Sequence, residues 1–192
     1  MSVNELNVER VRLTDGGLET CLIYDHGHQL PHFAAFPLLS SPEGRASLAA
    51  YYRQFREVAE EQERPLVLTT ATWRASPDWA SELGLHWAEV EEANMAAVAL
   101  VREVGGAGVD VAGGVGPRGD GYKAVESTVE AAWDYHRAQV GVLARAGVDH
   151  VAGETLATWQ EAAGVALACK ETAVPVAIGE LGEEFLLVVV KC

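Results

Sequence analysis

Two acidic phrases stand out as places where side chains could do chemistry. Asp15-Gly16-Gly17-Leu18-Glu19-Thr20 sets a carboxylate beside a backbone that can be approached closely. Gly153-Glu154-Thr155 places a second carboxylate just ahead of a helix start at Thr158. Asp15 and Glu154 in one pocket would make a doubly negative site that suits an ammonium group, such as that of an amino acid. The same two groups could instead form an acid/base pair. Asp-Gly is also ordinary turn chemistry, so the first phrase has a purely structural reading as well. Thr70-Ala71-Thr72-Trp73-Arg74-Ala75-Ser76-Pro77 offers Trp73 as a pocket wall and Thr72 as a hydrogen-bond donor, or a Trp that simply packs under a loop. Gly113-Gly114-Val115-Gly116-Pro117-Arg118-Gly119 reads either as a tight turn or as a loop around Gly116 and Pro117 that lines a site.

Other motifs in the chain carry less. Gly114, Gly116 and Gly119 have the spacing of a dinucleotide fingerprint, but Pro117 and the run of glycines do not open a helix at once. Arg118-Gly119-Asp120 spells an adhesion tripeptide with nothing around it to support that use. His26, His28 and His32 have a spacing that could hold a metal, yet Gly27 and Pro31 keep them off any one regular element, so a polar loop is the simpler reading.

These phrases need elements to hold them. Apolar, β-branched runs at residues 11–15, 66–70, 109–112, 148–152 and 174–178 read as strands buried on both faces, a parallel-sheet signal. Helical patterns lie between them. Ser41-Pro42-Glu43 places an N-cap before a first-turn proline, and the apolar stripe Leu48, Tyr51, Tyr52, Phe55, Val58 follows. Ser127 with Glu130, and Thr158 with Glu161, spell capping boxes for two later helices. Strand and helix alternate, so the fold class is α/β with right-handed parallel crossovers. Each unit takes roughly 40 residues and a closed eight-unit barrel takes ~250. The 192 residues therefore hold five or six units, as an open sheet or an incomplete TIM-type barrel, in a single domain spanning 1–192.

A net charge of −14 and a pI near 4.7 argue against nucleic acid or an anionic membrane surface as partner. No apolar run reaches the ~20 residues of a spanning helix, and the first residues lack a leader pattern. Cys21, Cys169 and Cys192 are too few and too scattered for a disulfide framework. A cytoplasmic protein with reduced thiols is expected.

In this order, the phrases after the strands resemble those of the homocysteine S-methyltransferase family. Its Asp-Gly-Gly/Ala phrase matches residues 15–20, and its Thr-x-Thr-aromatic phrase matches 70–76. Its Gly-x-x-Gly-Pro-x-Gly loop matches 113–119, and its Glu-Thr matches Glu154-Thr155. The likeness covers about residues 9–178. It implies a (β/α)8 barrel, incomplete here, that moves a methyl group from a donor to the sulfur of homocysteine and yields methionine. It implies a substrate site of Asp15, Gly16, Gly17, Thr72, Trp73, Glu154 and Thr155, with Gly116 and Pro117 in a loop beside it. Asp15 and Glu154 would hold the amino group, the backbone at Gly16 and Gly17 would approach its polar end, and Trp73 would wall the donor side.

The family's cofactor is zinc, which removes the proton from a thiol of pKa ~8.5. Its ligands are three cysteines, in an Asn-Cys and a Gly-Gly-Cys-Cys phrase, and this sequence contains neither. No metal ligand and no catalytic residue is therefore assigned, and little or no methyl transfer is expected. The tail at 179–192 is also unlike the family. Only residues 179–184 separate two apolar runs, too few for a parallel crossover, so the last run either forms an antiparallel edge strand or has no partner. The sequence thus reads as a shortened family member, or else as a non-catalytic amino-acid-binding or oligomerising fragment that self-associates through exposed sheet edges.

Overall fold

The structure, a computed structural model, describes residues 12–121, 126–180 and 187–190. Strand β1 is Leu13–Thr14, followed by α1 at Leu18–Tyr24 and two short 3-10 turns at Pro31–Phe33 and Phe36–Ser40. Then come α2 (Pro42–Glu61), β2 (Leu66–Thr69), α3 (Pro77–Glu82), α4 (Trp87–Gly105) and β3 (Asp110–Val115). The rest is α5 (Val129–Ala146), β4 (His150–Leu156), α6 (Trp159–Thr172), β5 (Val176–Glu180) and β6 (Leu187–Val190).

The six strands lie side by side in sequence order. The first four pairings are parallel and the last, β5 with β6, is antiparallel. A doubly wound sheet reverses its strand order at a switch point. This sheet never does, so the five parallel strands form a curled half-barrel with the βα order of a TIM barrel. The helices pack in the same succession, α1 on α2, α2 on α4, α4 on α5 and α5 on α6, as one outer layer. Leu66, Leu68, Val111, Val115, Val151 and Val176 are buried in the core. Alternate positions along a strand face opposite ways, so every second residue is left to face the other side of the sheet.

The chain termini of the helices follow local rules, with instructive departures. Ser41 Oγ accepts from Gly44 N–H at 3.0 Å and Pro42 opens α2 as expected. In the stripe of α2, Val58 is exposed and Ala59 takes the buried position, because a 3.6-residue period drifts over twenty residues. The cap of α5 is Thr128, whose Oγ accepts from Ala131 N–H at 3.1 Å, and not Ser127 one residue earlier. Thr158 does cap α6, accepting from Glu161 N–H at 3.2 Å. Glu161, however, does not complete the box. Its carboxylate takes the Arg118 N–H at 2.7 Å and His136 Nε2 at 2.9 Å, tying α6 to α5 and to the loop after β3.

Gly164 lets α5 and α6 touch. A Cβ there would lie 2.5 Å from Ala132 Cβ and 2.6 Å from Trp133 N. At the other end of the sheet, Leu187–Val190 pairs antiparallel with β5, Val176 opposite Val190 and Gly179 opposite Leu187. The final apolar run is therefore an antiparallel edge strand across these residues, while the rest of the tail, Cys192 included, lies outside the described residues. No helix among the described residues is long and apolar enough to cross a membrane.

Candidate functional site

Asp15 follows β1 directly and is held from two sides. Thr69 N–H, at the end of β2, donates to its Oδ1 at 2.8 Å. The Tyr51 hydroxyl, from α2, donates to Oδ2 at 3.3 Å and to Gly16 O at 2.9 Å. Tyr52 OH donates to Thr69 O at 2.9 Å, so adjacent tyrosines of one helix fix both strand ends. Gly17 has φ +69° and starts α1, a left-handed position that a glycine takes without strain.

Glu154 is aimed by an irregularity in β4. The pairing register with β5 shifts between Gly153 and Leu156, and Thr155 sits at φ +56°. A non-glycine residue in the left-handed region costs on the order of 1 kcal/mol or more, and such bulges re-aim side chains beside functional sites. Thr155 Oγ donates to Glu154 O at 2.7 Å and accepts from Trp73 Nε1 at 3.0 Å. The Thr69 side chain favours the charged form of both carboxylates, Asp15 and Glu154.

Asp15, Gly16, Gly17, Glu19, Trp73 and Glu154 line one small cleft of about 70 Å³ at the C-terminal ends of the strands. No lysine, arginine or histidine is among its lining residues. Burial raises the Asp15 carboxyl to about 6, against its hydrogen bonds. Burial likewise raises Glu19 to about 7 and Glu154 to about 7, with the neighbouring acids adding to both. Burial and the Asp15 charge push Tyr51 up as well, so it remains a neutral donor. Three acids thus share a cleft with no cation among its lining residues, Arg74 acting on Glu19 from outside it, and a bound cation would relieve all of them.

These shifts fix a pH dependence. A carboxyl whose folded pKa is raised binds its proton more tightly in the folded chain than in the unfolded one. Its contribution to stability therefore falls as pH rises from about 4 through 7. Burial lowers the pKa of His150, which gives an opposing slope below its usual range. The expected result is that thermal midpoints measured from pH 5 to 8 fall more steeply for the native chain than for Glu154→Gln. The difference between the two isolates the cleft, since His150 is common to both. Equal slopes would show that Glu154 does not titrate with raised affinity.

Thr72 does not reach the cleft. It is fully buried, its hydroxyl donates to Gly114 O at 2.7 Å, and Gln139 Nε2 donates to its carbonyl at 2.7 Å. Thr69 and Thr70 take its place along the cleft wall. Gly116 and Pro117 stand behind the Trp wall and are not lining residues. Gly116 N–H donates to Trp73 O at 3.0 Å, and Pro117 O accepts from Trp79 Nε1 at 3.4 Å. The three histidines do not converge. His28 Nε2 lies 2.8 Å from Ser47 Oγ, and the His32 ring packs on Trp79 at 5.9 Å. Glu19, Tyr51 and Thr69 line the cleft although their sequence context does not single them out. Glu19 stands inside the first acidic phrase, four residues past Asp15 in the first turn of α1, and Tyr51 reads equally well as core.

Cys21 lies on α1, and Cys169 is fully buried on α6. Among the described residues no three His, Cys, Asp or Glu side chains are grouped to hold an ion. A three-thiolate zinc set does not fit them.

The family model for homocysteine S-methyltransferase matches residues 12–182. This chain belongs to the homocysteine S-methyltransferase family. Its fold is similar to three crystal structures of the homocysteine methyltransferase MmuM from Escherichia coli, each 24% identical. The oxidised form superposes with a TM-score of 0.70, covering 88% of this chain and 61% of MmuM. The metallated form gives 0.71, with 89% and 63%, and the apo form 0.65, with 93% and 62%. The chain therefore spans a little over three-fifths of the length of these structures. No curated protein matches it.

Proposed function

We propose that this homocysteine S-methyltransferase family member holds the amino-acid substrate of methyl transfer to homocysteine, the reaction that makes methionine. One observation carries the reading: Asp15, Glu19 and Glu154 share a cleft without a lining cation, a site that an α-ammonium group completes. Family membership supplies the thiol as the part of the substrate that reacts. In that chemistry the thiol loses its proton, a sulfur–carbon bond forms, and the donor's bond to the methyl carbon breaks. Asp15, oriented by Thr69 and Tyr51, and Glu154, aimed by the bulge at Thr155, would anchor the amino end. Trp73, pinned by Thr155, would wall the side from which the methyl donor approaches. Zinc would activate the thiol in the family, but the described residues offer no donor set for it.

A second reading of the same chain is a non-catalytic amino-acid-binding or oligomerising fragment, in which the cleft binds an amino acid without turnover. The whole chain is read as one domain working in the cytoplasm, and self-association through the outer strands β1 and β6 is part of the proposal. Titration calorimetry of the 192-residue chain with L-homocysteine and L-methionine at pH 8 tests the shared core of both readings. Saturable binding of either is expected, tighter at pH 8 than at pH 5.5 because only the ionised carboxylates attract the ammonium. Absence of binding at both pH values sinks them. A methyl-transfer assay on the same protein then separates catalysis from simple binding.

A further inference from the structure

We propose that Glu161, which lies outside the cleft, is a positioning residue for its Trp73 wall and acts through the loop after β3. This rests on the amino-acid reading above and deepens it. Glu161 is only 8% exposed, although it stands in the first turn of α6. One oxygen, Oε1, takes the Arg118 N–H at 2.7 Å and His136 Nε2 at 2.9 Å. Burial would raise the pKa of this acid, but the bonds from His136 and the Arg118 amide bring it below its usual value, so it is ionised. An ionised carboxylate only accepts, so Nε2 carries the His136 proton. Nδ1 of the same ring is buried without a hydrogen-bond partner, which leaves Glu161 as the group that orients the imidazole.

The loop that Glu161 grips is bonded on its other side to the segment that carries the wall. Gly116 N–H donates to Trp73 O at 3.0 Å, and Pro117 O accepts from Trp79 Nε1 at 3.4 Å. Gly119 O accepts from Arg74 Nη1 at 3.2 Å. Arg118 also pairs with Asp78 at 2.8 Å, but that pair is exposed and screened by water. The bond from its amide to Glu161 is part-buried and charge-assisted, and is the stronger fastening. Thr155, six residues before Glu161, accepts from Trp73 Nε1 at 3.0 Å. The β4–α6 unit therefore holds Trp73 at both ends, the indole directly and the backbone oxygen through the loop. Loss of Oε1 would leave the Arg118 N–H and the His136 Nε2 proton unpaired. The loop would have to shift to reach water, and Trp73 would move with it.

The test compares three variants of the full chain. Glu161→Met fills the space without an acceptor, and Glu161→Gln keeps an oxygen that can stand where Oε1 does. Val104→Ala, at a buried position of α4 that does not line the cleft, is the control for general loosening. On the reading above, L-methionine and L-homocysteine differ by a methyl group on the Trp73 side. Calorimetry should show their affinity ratio changed about fivefold in Glu161→Met, and within about twofold of native in Glu161→Gln and Val104→Ala. In protein labelled with 5-fluorotryptophan, the Trp73 fluorine resonance is assigned by its loss in Trp73→Phe. It should move in Glu161→Met and return in Glu161→Gln. Either readout unmoved in Glu161→Met overturns the assignment, as does an equal change in Val104→Ala or a failure of Glu161→Gln to restore them. If Glu161→Met does not fold, amide hydrogen exchange of the native chain decides. Saturating L-methionine should then slow the Arg118 N–H about threefold, and unchanged exchange overturns the assignment. If neither amino acid binds the native chain, the amino-acid reading falls, while the Trp73 resonance still decides whether Glu161 positions the wall.

Discussion

Asp15→Asn is expected to weaken amino-acid binding by about 100-fold while making the free protein more stable at pH 8. The binding loss follows from the charge. A charge-assisted hydrogen bond to an ammonium is worth about 1.5–3 kcal/mol, and tenfold in affinity is about 1.4 kcal/mol. The stability gain follows from the raised carboxyl pKa values in the cleft. Asparagine keeps an oxygen for the Thr69 N–H, and Tyr51 still donates to Gly16 O, so the local frame survives. What disappears is one buried charge among three. A gain of about 1 kcal/mol raises the melting midpoint by roughly 2–4 °C in a chain of this size. Sites that must hold uncompensated charge for a ligand commonly trade stability for function in this way. Calorimetry and thermal melts on the same preparation check both halves. Retained affinity, or a midpoint that drops, would show that Asp15 is a structural turn residue and not a ligand anchor.

Gly116→Ala should be the most damaging small change near the cleft, although Gly116 does not line it. A Cβ there would lie 2.5 Å from Trp73 O and 2.6 Å from Trp73 Cδ1 and Nε1. The backbone oxygen is itself held by Gly116 N–H, and the indole nitrogen by Thr155. Neither can yield without breaking a bond that positions the wall. Overpacking of this kind costs about 3 kcal/mol. Denaturant unfolding should show that loss, and near-UV circular dichroism should show a changed indole environment. Gly121→Ala is the control. The atoms nearest its Cβ, in Thr155, lie 3.5 Å away, and the expected effect is under about 1 kcal/mol. Equal stabilities for the two variants would remove the steric argument for the Trp73 wall.

The residues that proved hardest to read were those whose role depends on which way a side chain turns. Thr72 and Thr70 lie two apart in the bend just past β2, and nothing local says which of them reaches the cleft. The structure joins them at 2.6 Å and bonds both to Gly114 of β3, Thr72 donating to its carbonyl at 2.7 Å and Thr70 accepting from its N–H at 3.0 Å, while only Thr70 also reaches the cleft wall. Ser127 and Thr128 are both competent caps, and a helix boundary one residue away rests on packing that no short window contains. Glu161 has the spelling of a capping residue, yet a buried His136 and the Arg118 amide draw its carboxylate away.

By itself the sequence determined the alternation of strand and helix, the acids waiting at two strand ends, and the lack of the family's cysteine phrases. Those are properties of periodicity, turn chemistry and composition, all expressed within a few residues. Only the tertiary structure decided that β1 through β5 lie in unbroken order, that Glu19 joins Asp15 and Glu154, and that Arg74 is stacked behind their shared wall. The distance between groups far apart in the chain is set by strand order, register and a single bulge. None of these is encoded in the residues that carry the charge.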